Sequence, residues 1–269
     1  MAMADRVIRA EDNGQPLLDA DGVPFAELEV DSVDALDEAS ATVAELAALQ
    51  REWRFGHVIV DEAQDLTPMQ WRMVARRAIG GSMTIVGDLA QRSTGEQGTW
   101  SDHLPESLAD ASHAELTVNY RSPVELSGLA AAILSDLAPH LAPPKAIRSS
   151  GFLPEVRQCD DLESAVGEAI NDDLRSGPEG RIAVIGFDLP ETSDDKRVSW
   201  LSPAQAKGLE FDNVIIVEPS RFLDEPRGLS LLYVAITRAT NKLTLLHQRR
   251  LPAVIETGLA VGVSLGELN

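Results

Sequence analysis

Residues 58–65 read Val58-Ile59-Val60-Asp61-Glu62-Ala63-Gln64-Asp65. The β-branched apolar run, entered from His57, predicts a short strand buried on both faces of a parallel sheet. It ends abruptly in two carboxylates. In a doubly wound sheet the ligand crevice lies beyond the carboxyl ends of the strands. Asp61 and Glu62 therefore stand where a phosphate-bearing ligand is handled. One carboxylate there can hold Mg²⁺, commonly through water. The other can orient or deprotonate the water that attacks a phosphate. An acidic helix N-cap placed there for the dipole is the plainer alternative. A bare Asp-Glu pair would favour that alternative; the five-residue string 61–65 at a strand end does not.

Strands and helices alternate on either side of this stretch. Val33, Leu36, Ala39, Val43, Leu46 and Leu49 lie at helical spacing over 33–49. A helix is expected over 68–78, and strands over 83–86, 115–119, 181–187, 198–201, 213–217 and 243–247. Ser122-Pro123-Val124-Glu125 opens a further helix with a capping box and Pro at its first position. Helices over 162–175 and 229–240 complete the pattern. The alternation predicts an α/β fold with parallel sheets.

Four more strings carry chemistry-bearing residues. Ile85-Val86-Gly87-Asp88-Leu89-Ala90-Gln91 again ends an apolar strand, and Gln91 can sense a terminal phosphate by donating a hydrogen bond. Leu116-Thr117-Val118-Asn119-Tyr120-Arg121-Ser122 places Tyr120 and Arg121 at a strand-to-helix corner. An arginine so placed can stabilise charge on a transferring phosphoryl group, an effect worth roughly 10³–10⁵ in rate. Ala206-Lys207-Gly208-Leu209-Glu210-Phe211-Asp212 precedes the strand at 213–217. In Leu231 to Ala239, Tyr233 and Ile236 face the core and Arg238 is expected to point out from the helix end. Taken singly, each string is as compatible with ordinary packing as with a ligand.

In this order the five strings resemble motifs II to VI of superfamily 1 helicases of the UvrD/Rep type, over roughly residues 55–250. The resemblance implies RecA-like, P-loop NTPase-type lobes, one partial and one complete. It implies a partial first lobe over 25–113 and a second lobe over 114–255; residues 1–24, with little periodicity, read as a loose acidic leader, and the chain after Pro252, with the tail at 256–269, is expected to be loose. The resemblance assigns Mg²⁺ to Asp61, the attacking water to Glu62 and the γ-phosphate to Gln91. Tyr120 would stack on adenine, and Arg121 and Arg238 would be arginine fingers. Gln64, Asp65, Asp88, Lys207, Gly208 and Glu210 would lie around the nucleotide. ATP and Mg²⁺ are the implied substrate and cofactor.

Three departures refine the resemblance. The four lysines follow Pro144, Asp195, Ala206 and Asn241, so the chain contains no Gly-Lys dipeptide. A P-loop needs one. The chain therefore looks like the C-terminal part of a motor, with a P-loop-bearing N-terminal half as an expected partner, and is not expected to bind ATP tightly or turn it over alone. The loop after Gln91 has no aromatic before Trp100, and Ala204 stands where the family usually has His; both weaken the case for tracking single-stranded DNA. The interval from Arg121 to Ser202, about eighty residues, leaves no room for an accessory domain. The missing accessory domain, the strings Gly87-Asp88-Leu89-Ala90-Gln91 and Ala204 to Asp212, and the acidic balance together look like the HelD branch, the helicase-IV-like ATPases that release RNA polymerase from stalled complexes. A conventional 3′–5′ DNA helicase fragment and a non-catalytic interaction module are the alternatives.

Composition sets bounds. Lys and Arg number 23 against 43 Asp and Glu, a net charge of −20. Tight nonspecific nucleic-acid binding needs a basic face, so weak DNA binding by this chain alone is expected. Residues 1–50 hold twelve acidic residues and two arginines. The single cysteine, Cys159, excludes an internal disulfide. The five histidines have no metal-ligand spacing. No apolar run has a membrane helix's length, and the first residues have no secretory h-region. A cytoplasmic location is expected.

Overall fold

A computed structural model of the chain describes residues 11–12, 15–16, 54–92, 98–108, 110–176, 179–189 and 193–266. The helix expected over 33–49 lies outside the described residues. Two compact units are present, Met1–Arg54 and Phe55–Asn269. In the first, β1 (Glu11–Asp12) pairs antiparallel with β2 (Gln15–Pro16), within the leader expected to be loose.

The second unit is α/β, with parallel sheets. Its first part pairs β3 (Val58–Val60) with β4 (Met83–Ile85). Between them runs α1 (Pro68–Ala75), opened by Pro at its start and by a reciprocal cap between Thr67 and Gln70. Trp71 on α1 is buried against Val60 and Ala63. α2 (Trp100–His103) brings Trp100 to the same cluster. The expectation that β3 is buried on both faces fails at Ile59, which is 71% exposed. Residues of one β3 face pack on Trp71, and among the described residues no second layer covers the other.

β5 (Val118–Asn119) pairs in parallel with β6 (Lys145–Ala146). Between them lies α3 (Val124–Leu137). The capping box expected at Ser122 is absent: the N-cap is Pro123, with no side-chain cap bond. The Glu125 carboxylate instead accepts hydrogen bonds from the Ser150 and Gly151 backbone N–H groups. Those donors lie on a chain that must turn over the helix start, and they hold the carboxylate more fully than one N-cap N–H could.

The largest sheet is five-stranded and wholly parallel. Its strands are β7 (Glu155–Gln158), β8 (Ile182–Ile185), β9 (Val198–Leu201), β10 (Phe211–Val217) and β11 (Ala239–His247), in the order β7-β11-β10-β8-β9. Strand periodicity divides its side chains into two cores. Ala183, Ile185, Val214, Ile216, Leu243 and Leu245 face one side with α3 and α6 (Gly228–Thr237). Ile182, Val184, Ile215, Val217 and Leu246 face the other with α4 (Leu162–Ser176). Strand β8 is buried at every position, as a central parallel strand with both faces covered must be. A short helix, α5 (Pro219–Phe222), follows β10. These layers are the architecture of RecA-like lobes expected from the sequence.

The tail expected to be loose after Pro252 forms α7 (Ala253–Gly266). Val254 and Ile255 join the core that holds α3. A Cβ on Gly258 would stand 2.7 Å from the Leu129 Cα, so the two helix backbones touch there. Gly258→Ala is therefore expected to destabilise the chain by about 1–3 kcal/mol, the cost of overpacking. A loosely held helix would instead gain stability from alanine. Urea denaturation measures the sign.

Candidate functional site

The chain leaves β3 through an uncommon backbone. Glu62 sits in the left-handed region, φ 51 and ψ 37. For a non-glycine residue such a conformation costs on the order of 1–3 kcal/mol and persists only when its surroundings hold it. They do so here. The Asp61 carboxylate accepts the Glu62 N–H at 2.8 Å. Gln64 is fully buried, and its Nε2 donates to Glu62 Oε2 at 2.6 Å. Its Oε1 accepts the Asp88 N–H at 3.1 Å. A Cβ on Gly87 would lie 2.5 Å from that same Oε1, so only glycine lets the exits of β3 and β4 come this close.

From Asp88 the hydrogen bonds continue across the molecule. Asp88 Oδ1 accepts the Ala90 N–H at 2.9 Å and caps the short turn 89–91. Asp88 Oδ2 accepts Gln91 Nε2 at 2.9 Å. Gln91 Oε1 accepts from Arg238 Nη2 at 3.1 Å. A continuous path thus runs Glu62–Gln64–Asp88–Gln91–Arg238. Each glutamine turns its NH₂ toward a carboxylate and its oxygen toward a donor, which fixes both amides in one orientation.

Arg238 does not point out, as the sequence led us to expect. It is 3% exposed. Its guanidinium also donates to the carbonyls of Val234 at 3.1 Å and Leu209 at 3.0 Å. Burial lowers its pKa, and Arg121 lowers it further; Glu62, Glu210 and Asp88 oppose both. Acidic groups from the first part and a second arginine thus act on one guanidinium. Arg121 itself pairs with Glu210 through Nε at 2.5 Å, half exposed.

The remaining expected residues fall around this centre. Lys207 Nζ pairs with the Asp65 carboxylate and donates to the Gln91 carbonyl at 2.7 Å. Gly208 has φ +73, and the nearest atom to a Cβ there would be Glu62 Oε1 at 3.8 Å, leaving open space. Asp61 is exposed. Tyr120 is 73% exposed, its ring free and its carbonyl held by Arg148. A groove of about 620 Å³ lined by Asp136, Leu137, Leu223 and Val254 contains none of these residues.

Three participants escaped the sequence reading. Ser230 on α6 is buried, and its hydroxyl reaches the carbonyls of Ala90 at 2.7 Å and Arg92 at 2.9 Å. Nothing local marks a helical serine for that task. Asn119 Oδ1 accepts the N–H groups of Arg121 and Ser122; an asparagine at a strand exit is a turn signal that could have been read. Arg148 stands alone after Lys145-Ala146-Ile147 and carries no signal. Cys159 is half-buried, and burial followed by the charges of Glu218, Asp160 and Asp161 pushes its thiol up, the reverse of a nucleophile's shift. Among the described residues no cluster of three or more His, Cys, Asp or Glu is arranged to hold a metal, and no helix is long and apolar enough to cross a membrane.

Two stretches of the chain match known families. Residues 10–92 match the UvrD/REP helicase N-terminal domain, and residues 200–246 match the UvrD-like helicase C-terminal domain. The chain is thus similar to UvrD-like helicase sequence of both kinds, in that order. No curated protein matches it. Among solved structures it is similar to the C-terminal domain of a possible DNA helicase from Lactobacillus plantarum, with 23% identity and a TM-score of 0.37, over 52% of this chain and 94% of that one. It is also similar to the PRRSV helicase, at 15% identity and a TM-score of 0.45, over 71% of this chain and 35% of that one. An arterivirus nonstructural protein 10 helicase in complex with DNA gives 18%, 0.42, 76% and 42%. The chain thus spans well under half the length of the viral helicases.

Gln64→Leu keeps the volume and removes both amide groups. It leaves the Asp88 N–H and a Glu62 oxygen without their partner, so a loss of about 1–3 kcal/mol is expected. Denaturant titration, with Gln158→Leu at an exposed position as a surface comparison, reads the difference.

Proposed function

We propose that this chain is the ATPase-motor portion of a HelD-like, superfamily 1 helicase-related protein that acts on RNA polymerase. The observation that carries the ATPase part is the path from Glu62 through Gln91 to the buried guanidinium of Arg238. It joins a candidate base at the end of β3 to a candidate arginine finger at the start of β11. The five ordered strings and the two helicase-type matches support the same reading. The polymerase part rests on the short interval between Arg121 and Ser202, on Ala204 and on the net charge of −20.

The residues fit one end of a magnesium triphosphate. Asp61 offers an exposed hard carboxylate, and Mg²⁺ commonly takes one or two carboxylates with the substrate's phosphates. Bound there, Mg²⁺ would offset negative charge on the phosphate oxygens. Glu62 faces the open space beside Gly208 and would accept a proton from the attacking water. Gln91, fixed by Asp88 and Arg238, would register the terminal phosphate. Arg121 and Arg238 would meet the charge that develops on it. Tyr120 presents a free aromatic face to the base. Cradling of the inner phosphates by Gly-Lys is not offered, as the sequence has no such dipeptide.

Two measurements test the reading. The chain, fused to or mixed with a P-loop-bearing N-terminal part, is expected to hydrolyse ATP, and Glu62→Gln to lower the rate at least about 100-fold. Immobilised RNA polymerase is expected to retain the chain. Hydrolysis without polymerase retention, together with salt-sensitive binding of single-stranded DNA, would instead favour a conventional helicase. Hydrolysis indifferent to Glu62 would overturn the site.

A further inference from the structure

Arg148 lies outside every motif read from the sequence, two residues beyond β6. Its guanidinium is nevertheless among the most heavily used in the chain. Nε donates to the Tyr120 carbonyl at 3.3 Å. Nη2 donates to the Arg121 carbonyl at 2.6 Å and to the Thr240 carbonyl. Nη1 donates to Asn241 Oδ1 at 3.1 Å. The backbone takes part too: the Arg148 carbonyl accepts the Val124 N–H at the first turn of α3. One planar fork thus spans two chain segments that are remote in sequence. One carries Tyr120 and Arg121. The other is the opening of β11, two residues past Arg238.

The arrangement has a geometric consequence. Arg121 is tied by its side chain to Glu210, beside Phe211, whose N–H donates to the Arg238 carbonyl at 3.0 Å. Arg148 closes this loop from the other side. Arg121 and Arg238 are therefore connected twice, once through Glu210–Phe211 and once through Arg148. The first connection depends on a half-exposed ion pair, a weak tether, which a nucleotide phosphate would compete for. The second is shared among three backbone carbonyls and Asn241 Oδ1, so it does not hang on one ion pair. When a ligand draws Arg121 from Glu210, Arg148 still holds the corner.

We propose that Arg148 is a positioning residue that sets the spacing of Arg121 and Arg238, and through it the preference of the site for a triphosphate over a diphosphate. This rests on the phosphate-binding reading of those two arginines. Lysine cannot replace Arg148, because a single ammonium has no planar fork to span four acceptors in fixed directions.

The test uses the full chain joined to the P-loop-bearing N-terminal part and compares equilibrium binding of ATP and ADP with Mg²⁺, alongside the ¹⁵N spectrum of the arginine Nε–H groups without nucleotide. Arg148→Lys is expected to reduce the ATP-over-ADP preference about tenfold, because a small misplacement of binding groups is costly. ADP affinity is expected to hold. In the nucleotide-free spectrum the Arg121 and Arg238 Nε–H signals are expected to shift or broaden. In the Arg121→Ala background, Arg148→Lys is expected to add little further loss. Asn241→Ala, which removes one acceptor and leaves Arg148 in place, gives a smaller change in the same direction and serves if the lysine variant folds poorly. An equal loss of ATP and ADP binding, or unmoved arginine signals, would show a merely structural role and overturn the proposal. If Arg121→Ala and Arg238→Ala also leave the preference unchanged, the phosphate-binding reading fails with it.

Discussion

The buried guanidinium of Arg238 is the constraint on which the site depends. Burying such a charge without partners would cost several kcal/mol, so its acceptors must all be in place when the chain folds. They come from three separate segments: the last turn of α6, the Leu209 carbonyl before β10, and the Gln91 side chain after β4. Meeting this one requirement brings the exits of β3 and β4 against the entrances of β10 and β11. Lys207 and Ser230 reinforce the contact at the same turn, each reaching a carbonyl within Ala90–Arg92. The turn is clamped from one side by its own Asp88 and from the other by three side chains.

The polarity of the sheets follows from this meeting. The first part offers carboxylates and amides at the carboxyl ends of its strands, where parallel sheets ordinarily present ligand-handling residues. The larger sheet contributes from the opposite end, through residues that precede β10 and β11. Carboxylates and amides thus come from one side, and Lys207 and Arg238 from the other. Such a division would suit the phosphate of the proposed function.

Much of the fold was legible in the residues. Apolar runs such as 181–187 and 213–217 mark strands covered on both faces; the structure trims the first to Ile182–Ile185 and starts the second two residues earlier, at Phe211. The helix expected over 68–78 forms from Pro68, and its Trp71 is core. The less legible features share a physical cause. The pairing of β5 with β6 is a backbone matter, with two residues on each strand and no side-chain periodicity. The helix after Pro252 carries Gly258 and Gly262, which argue against a helix by propensity; contact with Leu129 outweighs that. The box at Ser122 fails because Glu125 finds better donors near Gly151. In the site, the residue types and their order were readable from five strings, whereas Arg238's burial and the roles of Ser230 and Arg148 depend on partners up to 147 positions away.

Manganese in place of magnesium offers the most direct measurement of where a triphosphate sits. Mn²⁺ with ATP broadens nearby resonances steeply with distance, and the side-chain amides of Gln64, Gln91 and Gln248 provide reporters in the chain itself. Selective loss of the Gln64 and Gln91 signals, with Gln248 at the far end of β11 left sharp, is the expected result. Broadening centred on Gln248, or none at Gln64 and Gln91 once nucleotide is bound, would contradict a shared crevice between the two sets of strands.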